Sequence, residues 1–177
     1  MEELGKSVMA AVGSDPVWAD MGLYMEGLNN ELDRGAVLIS SSYLEGRLGE
    51  LLKRFLVAGT DSKALVDDFN APFGTFSARI KGTHALGIIS DTERDRLDWI
   101  RRIRNEFAHN LKANFSEQRI SSLVKNMKPF DVQGKEIVMP LKMQFTVAAA
   151  QLVVSFNHRI GIVEQSRLKP VNWPAGS

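Results

Sequence analysis

The sequence predicts an all-α fold, a bundle of five to seven helices in a single domain. Helix-start signals recur along the chain, among them the capping-box spacing of Ser90 and Glu93 and the proline at position 140. In one long segment the apolar residues share a single helical face. These residues are Val37, Leu44, Leu48, Leu51, Leu52 and Phe55. The length of 177 residues, without an internal repeat or a dividing linker, favours one domain.

The chain begins with an N-terminal segment, residues 1–13, which lacks the basic start and the apolar run of a secretory signal. The Ser-Asp-Pro sequence that ends at Pro16 indicates the start of a helix, with the proline at its first position. This helix is expected to reach about Leu32. Gly35 then marks a break or a tight contact.

The strongly patterned helix that begins near Val37 has two glycines, Gly46 and Gly49, on the side opposite its apolar face. Each glycine costs about 1 kcal/mol relative to alanine inside a helix. Either another helix or another subunit approaches closely at these positions, or the loss is simply tolerated. The helix is expected to end at Ala58 and Gly59.

Shorter helices are predicted for the middle of the chain. Asp61 or Ser62 is expected to cap a short helix, and residues 70–74, which contain a proline and a glycine, form a turn. A helix over residues 75–86 follows, with Gly87 as its C-terminal cap.

The capping box predicts the next helix, over residues 91–109. Asn114 or Ser116 is expected to cap a further helix that ends near Met127. Residues 129–139 indicate a loop or a small hairpin.

Pro140 opens the last long helix, which is expected to end near Leu168. The helical bundle domain is therefore expected to span residues 14–168, and residues 169–177, with two prolines, form a C-terminal tail. The apolar stretch 145–163 is interrupted by polar residues, which makes it a poor membrane span. We expect no membrane association, and a cytoplasmic location is the default.

The composition excludes several classes of site. Lys plus Arg number 22 and Asp plus Glu number 21, so net charge argues neither for nor against a nucleic-acid partner. The absence of cysteine removes disulfides, zinc ribbons, iron–sulfur clusters and thiol nucleophiles. No two histidines have metal-ligand spacing with a carboxylate, so we predict neither a metal site nor a cofactor. His84 and His158 are expected to be structural.

The octapeptide 103–110 places Arg104, Asn105 and His109 close together at the end of a charged helix. Arginine binds phosphate as a two-pronged donor, and histidine transfers protons near neutral pH. Asn105 lies four residues before His109 and could orient its ring. Arg104, at the edge of the apolar stripe, diverges from His109 by about 140° on an ideal helix. A shared site therefore needs a helix end at His109 or a symmetric homodimer.

Several segments in order resemble the mannitol operon repressor family. They are Asp33-Arg34-Gly35-Ala36-Val37-Leu38-Ile39, Pro72-Phe73-Gly74-Thr75-Phe76-Ser77-Ala78-Arg79-Ile80, Leu86-Gly87-Ile88-Ile89 and Ile100-Arg101-Arg102-Ile103-Arg104-Asn105-Glu106-Phe107-Ala108-His109. The likeness covers about residues 25–127. It implies an all-helical transcriptional regulator of sugar-alcohol uptake, a repressor, or a relative with another target.

The sequence Arg104-Asn105-x-x-x-His109 also resembles the Arg-x(4–6)-His motif of HEPN domains. Many of these helical bundles are metal-independent ribonucleases that act as dimers, often as toxins or defence proteins. The resemblance implies that His109 is a general acid or base, that Arg104 stabilises charge on the phosphate, and that Asn105 orients the imidazole or the phosphate. Arg101 and Arg102, with Arg104, would attract the nucleic acid. Alternatively, Arg104 pairs with a carboxylate and His109 only benefits from the helix dipole.

Direct binding to DNA has little support in the sequence. A helix-turn-helix would place a basic helix in the major groove, but the nearest candidate offers only Arg119, Lys125 and Lys128. We therefore predict a regulator that acts through a regulatory protein partner or through RNA. The alternatives are a HEPN-type endoribonuclease and a structural dimer module without either activity.

Overall fold

The computed structural model describes Tyr24, Leu28 and residues 31–128 and 139–174. Every regular element within these residues is a helix, which confirms the all-α prediction. The helices are α1 Asp33–Phe55, α2 Thr60–Asp67, α3 Phe76–Ala85, α4 Asp91–His109, α5 Gln118–Asn126 and α6 Leu141–Gln165.

Three predictions fall mainly outside the described residues. They concern the N-terminal segment 1–13, the helix expected from Pro16 to about Leu32, and the loop or hairpin at 129–139. In the second of these, Tyr24 and Leu28 are helical and buried.

The central helix α1 is flanked by α6, which runs parallel to it, and by α4, which runs antiparallel. Near the start of α6, Lys142 Nζ lies 3.5 Å from Asp33 Oδ1. Beyond the end of α6, the N–H of Leu168 donates to the Phe55 carbonyl at 2.8 Å. Fully buried side chains fill the space between the helices: Leu44, Leu48, Leu51, Leu97, Ile100, Phe145 and Phe156. Burial of each such side chain contributes about 1.5–3 kcal/mol to the stability of the fold, relative to leaving it exposed.

The structure corrects the predicted start of α1. The helix runs through Gly35 without interruption, so the break predicted there is wrong. The alternative, a close neighbour, is present: a Cβ atom at Gly35 would meet the side chain of Glu31.

The junction of α1 and α2 also differs from the prediction. α1 ends at Phe55, three residues before Ala58, and Gly59 is the N-cap of α2. The caps predicted at Asp61 and Ser62 are therefore wrong. Ser62 lies inside α2 and donates its hydroxyl to the Val57 carbonyl, so its side chain holds the preceding loop instead.

Of Gly46 and Gly49, one has the predicted close neighbour. A Cβ atom at Gly49 would lie 3.0 Å from Arg79 Nη1 and 3.2 Å from Val66. Arg79 Nη1 donates at 3.0 Å to the Glu45 carbonyl, which requires the guanidinium to lie against α1. At Gly46, by contrast, a Cβ atom would meet no atom of another element within 4 Å among the described residues.

The two predicted signals between α3 and α4 are confirmed. Gly87 has φ 70°, the left-handed conformation that favours glycine, and follows the end of α3. Its N–H donates to the His84 carbonyl and the N–H of Ile88 donates to the Thr83 carbonyl, both at 2.9 Å, which is a Schellman motif. Ser90 and Glu93 then form the capping box that starts α4.

The caps predicted for α5 are wrong. Its N-cap is Glu117, which makes no side-chain cap hydrogen bond. The side chain of Asn114 instead accepts from the N–H of Ser116 at 2.9 Å and forms a turn ahead of the helix.

The last helix begins after Pro140, as predicted, and ends at Gln165, three residues before Leu168. Residues 167–174, which include the described part of the predicted tail, are without regular structure. Among the described residues, no helix combines the length and apolarity needed to cross a membrane.

Candidate functional site at the C-terminal end of α4

The N-terminal end of α4 is fixed by a charged cluster around Glu93. Arg159 of α6 forms a two-pronged pair with the Glu93 carboxylate, with N–O distances of 2.7 and 2.8 Å. The N–H of Ser90 donates to the same carboxylate at 2.9 Å, and the hydroxyl of Ser155 at 3.2 Å. Burial alone would raise the pKa of Glu93, but the hydrogen bonds from Arg159 and Ser90 lower it below its ordinary value.

The middle of α4 packs on the bundle through a fully buried stripe. Its members are Leu97, Ile100, Ile103 and Phe107. Arg104 does not lie against this core, although the sequence placed it at the edge of the apolar stripe; its side chain is exposed. Long basic side chains reach solvent from such positions because the stem is flexible and the charge keeps its hydration.

The structure joins two of the three predicted site residues. Arg104 Nη1 donates to Asn105 Oδ1 at 3.2 Å, so the amide of Asn105 holds the arginine. The side chain of Asn105 makes no hydrogen bond to His109, so the predicted orientation of the His109 ring by Asn105 is not observed. His109 is exposed and, within the described part of the chain, has no hydrogen-bond partner.

α4 ends at His109, as predicted, and its end is held by a residue that the sequence argument missed. Arg34 of α1 donates to the carbonyl of Phe107 and, at 2.8 Å, to the carbonyl of Asn110. Carbonyls in the last turn of a helix lack partners within the helix, and a cation there is favoured by the dipole. An arginine in the first turn of α1 is unfavourable for the dipole of its own helix. That unusual position was the feature of the sequence that could have indicated a contact of Arg34 with another element.

The loop that follows α4 is ordered by side-chain hydrogen bonds and by one buried ring. Asn110 Oδ1 accepts from the N–H of Lys112 at 3.0 Å, and Asn110 Nδ2 donates to Glu117 at 3.3 Å. The ring of Phe115 is buried 5.3 Å from that of Phe107. Because both ends of the loop are held, it presents Leu111, whose side chain is 91% exposed, in a defined position.

Basic side chains occur along the last turns of α4 and in the segment that follows it. Arg102, Arg104 and Lys112 are exposed, while Arg101 is paired with Asp98 at 3.1 Å. Arg119, 79% exposed, lies 3.0 Å from Glu106. We call the basic and apolar residues at this end of the bundle the α4 end surface: Arg101, Arg102, Arg104, His109, Leu111, Lys112 and Arg119. They lie on more than one side of α4, since Arg102 and Arg104 are about 160° apart on a helix. The cations of this surface outnumber the carboxylates paired with them, so it favours an anionic partner.

The two remaining histidines lie elsewhere. His84 Nε2 is 2.9 Å from Asp91 Oδ1, a contact that joins α3 to the start of α4. His158, expected to be structural, is exposed on α6. Within residues 31–128 and 139–174, no three His, Asp or Glu side chains are grouped so that they could hold a metal ion.

Comparison with known proteins identifies one similar fold. No known family model matches the sequence, and no curated protein matches it significantly. The fold is similar to that of a chain in the X-ray structure of the MtlR-HPr complex from Escherichia coli, with a TM-score of 0.52 and 20% sequence identity. The similarity covers 81% of this chain and 97% of that chain. At this identity it shows a shared fold.

Proposed function

We propose that this protein is a regulator that acts by binding a protein partner, and that the α4 end surface is where the partner docks. The observation that favours a protein partner is the fold shared with a chain of the MtlR-HPr complex. The sequence segments that resemble the mannitol operon repressor family, in the same chain, point to regulation of sugar-alcohol uptake genes. A protein of the HPr kind is therefore the first partner to test.

The chemistry of the α4 end surface suits a protein. The surface offers a 91% exposed leucine, Leu111, together with exposed arginines, a residue type that is enriched at protein interfaces. Leu111 would enter an apolar depression of the partner, while Arg104 would contact one of its carboxylates. Arginine suits this role because its planar guanidinium bonds a carboxylate through two parallel hydrogen bonds.

DNA is a less suitable partner for the same surface. The helix that follows the loop, α5, is short, and one of its exposed cations, Arg119, is already paired with Glu106. Sequence-specific DNA binding by a helix requires several side chains that reach base edges in the major groove. We therefore place the regulatory contact on a protein rather than on an operator.

Charge reversal at the α4 end surface tests the proposed docking site. We expect Arg104→Glu to weaken binding of HPr from the same organism by about tenfold or more, because the new glutamate would repel the carboxylate of the partner that Arg104 attracts. Lys63→Glu in α2, an exposed cation elsewhere on the bundle, is the matched control and should leave the affinity unchanged. Isothermal titration calorimetry measures both. Equal affinities for all three proteins would place the docking site elsewhere, and no binding by the wild type would remove HPr as partner.

Loss of regulation in the cell is a separate readout of the same proposal. Deletion of the gene should change the transcript levels of the sugar-alcohol uptake genes, and the Arg104→Glu variant should reproduce the deletion. Unchanged transcripts after deletion would remove that target, whatever the binding experiment gives.

The second candidate is a metal-independent ribonuclease of the HEPN type, favoured by the helix end at His109 and by the adjacent Arg104 and Asn105. His109 would transfer the proton of the ribose hydroxyl or of the leaving oxygen, and Arg104 would stabilise the phosphate. Purified protein should then cut total RNA in EDTA, and Arg104→Ala and His109→Ala should not. Intact RNA after incubation with folded wild-type protein would exclude this activity.

A further inference from the structure

The loop between α2 and α3 exposes one of its two phenylalanines almost completely. The side chain of Phe69 is 95% exposed. Four positions later, the ring of Phe73 packs against α3, in the space that a Cβ atom at Gly82 would need. Burial of a phenylalanine side chain contributes about 1.5–3 kcal/mol relative to exposure. The loop therefore gains this stabilisation from Phe73 and lacks it at Phe69.

Hydrogen bonds hold this loop to the helices on either side of it. The N–H of Phe73 donates to the Leu65 carbonyl of α2 at 2.8 Å. Arg79 of α3 donates to the Phe73 carbonyl at 2.8 Å and to the Val66 carbonyl of α2 at 3.0 Å. A guanidinium shared between a loop and two helices fixes the path of the loop. The exposure of Phe69 is thus a property of an ordered loop.

Asp68, which precedes Phe69, lies at an unfavourable position for a carboxylate. It is the C-cap of α2, and the helix dipole disfavours negative charge at a C-terminal end. The neighbouring Asp67 is offset by Lys53, 2.9 Å away. Within the described part of the chain, the exposed carboxylate of Asp68 has no ion-pair partner. Arg34 has the reverse mismatch at the start of α1 and owes it to a contact with another element, a contact that Asp68 lacks.

Asn70, which follows Phe69, adopts a backbone conformation that favours glycine. Its φ is 60°, and among the residues that the structure describes it is the one non-glycine residue with positive φ. We call residues 68–70 the Phe69 loop tip. Each of the three occupies a position that costs the isolated chain stability, in a loop whose other contacts are well formed. Such a concentration of unfavourable positions is expected at a functional site, where a partner supplies the missing interactions.

We propose that the Phe69 loop tip binds a second protein besides HPr, and that this partner is a basic, DNA-binding protein. Phe69 would fill an apolar pocket, since buried aromatic side chains are the usual anchors of protein interfaces. Residues 64–78 contain two charged side chains, Asp67 and Asp68, and both are acidic. The tip therefore attracts a pocket edged by lysine or arginine and repels nucleic acid itself.

The DNA-binding class of the partner rests on the proposed regulatory function. A chain that regulates transcript levels, but whose surface is poorly suited to the major groove, must reach its genes through a protein that binds them. DNA-binding proteins carry basic surfaces for the phosphate backbone, which is the charge that the Phe69 loop tip attracts. The chain would then hold HPr at the α4 end surface and the DNA-binding protein at the loop tip, and so link the two.

Photo-crosslinking in the cell identifies the partner. Phe69 is replaced by p-benzoylphenylalanine, which keeps an aromatic ring at this position. In the matched control the same residue replaces Trp173, an 80% exposed aromatic residue of the tail. Position 69 should capture a basic protein that position 173 does not, and that protein, once purified, should bind double-stranded DNA. No captured protein, the same proteins at both positions, or a captured protein that does not bind DNA would each overturn the proposal.

The purified partner then allows a quantitative test by calorimetry. Phe69→Ala should weaken its binding by at least about tenfold, and Asp68→Lys should weaken it as well. Asp61→Lys, at the other end of α2, is the matched charge control and should bind like the wild type. All three variants should keep wild-type affinity for HPr, so failure of HPr binding and failure at the loop tip are distinguishable. Wild-type affinity in Phe69→Ala would refute the proposed anchor.

Two measurements on the isolated protein test whether the chain itself uses the loop tip. Because the chain has no cysteine, Phe69→Cys introduces a single thiol, which should form a mixed disulfide with Ellman's reagent about as fast as in the urea-unfolded protein. A much slower reaction would mean that the chain covers the tip, against the proposal. Asp68→Lys and Asn70→Gly should raise the urea midpoint, since each removes a mismatch. Lower midpoints would show that these residues serve the fold instead.

Discussion

The two ends of α4 differ in how completely their polar groups are used. At the N-terminal end, the Glu93 carboxylate is buried and accepts from Arg159, Ser90 and Ser155. At the C-terminal end, Arg104 is exposed and donates to its neighbour Asn105, and His109 is exposed. Groups that are already paired stabilise the fold, whereas exposed cations on an ordered support remain available to a partner.

The difference predicts that substitutions at the two ends have separable effects. Changes at the Glu93 cluster should reduce stability and leave partner binding intact in the folded protein. Changes at the α4 end surface should reduce partner binding and leave stability nearly unaltered. Arg34 lies between these cases, since it belongs to the bundle but holds the end of the helix that presents the surface.

The largest expected effect is on stability, from Arg159→Ala. Removing one partner of a largely buried ion pair leaves Glu93 with an uncompensated charge, which costs about 3 kcal/mol. Urea unfolding should show this loss as a lower midpoint. Arg94→Ala, which removes exposed ion pairs with Asp91 and Asp95, is the matched control and should cost less than about 1 kcal/mol. Similar losses in both variants would mean that the cluster does not anchor α4.

A smaller loss is expected from Arg34→Ala. The carbonyls of Phe107 and Asn110 would lose a charged donor, at a cost of about 1–2 kcal/mol, part of which water recovers because Asn110 is exposed. The loop that presents Leu111 should exchange its amide hydrogens faster, and HPr affinity should fall with it. Hydrogen exchange followed by mass spectrometry tests this. Unchanged protection of residues 107–113 would show that Arg34 does not position the surface.

Glu93, at the N-terminal end of α4, should make the stability of the protein depend on pH. The pKa of Glu93 is lower in the folded protein than its ordinary value of 4.5, so its contribution is present above that value and is lost as the pH falls through the folded pKa. Glu93→Gln should therefore be less stable than the wild type at pH 7, with the difference shrinking below pH 4.5. Urea unfolding across this range measures it, and a difference independent of pH would refute the assignment.

The sequence predicted those parts of α4 that depend on neighbouring residues. The capping box of Ser90 and Glu93, the left-handed Gly87 and the helix end at His109 are all local, because each is decided within a few residues. The Arg34 clamp and the Arg159 pair were missed because each joins residues more than 60 positions apart. Such contacts are decided by how the helices pack.

The errors in helix caps have the same origin. Asp61, Ser62, Asn114 and Ser116 are all good capping residues by type, but none of them caps a helix here. Ser62 bonds the Val57 carbonyl and Asn114 the N–H of Ser116, so both side chains serve the loops that connect packed helices. The helical spacing placed Arg104 at the edge of the apolar stripe of α4. It did not show that the packing leaves this edge exposed to solvent.

The most direct test of the account is the binding of HPr to the Leu111→Asp variant. Leu111 is the exposed apolar centre of the α4 end surface, and an aspartate there should weaken the affinity by at least about tenfold. Phe69→Asp is the matched control because Phe69 is also an exposed apolar residue, 95% accessible, and lies between α2 and α3. Calorimetric titration that shows weaker binding by Leu111→Asp alone would support the surface. Wild-type affinity in the Leu111→Asp variant would contradict the central claim.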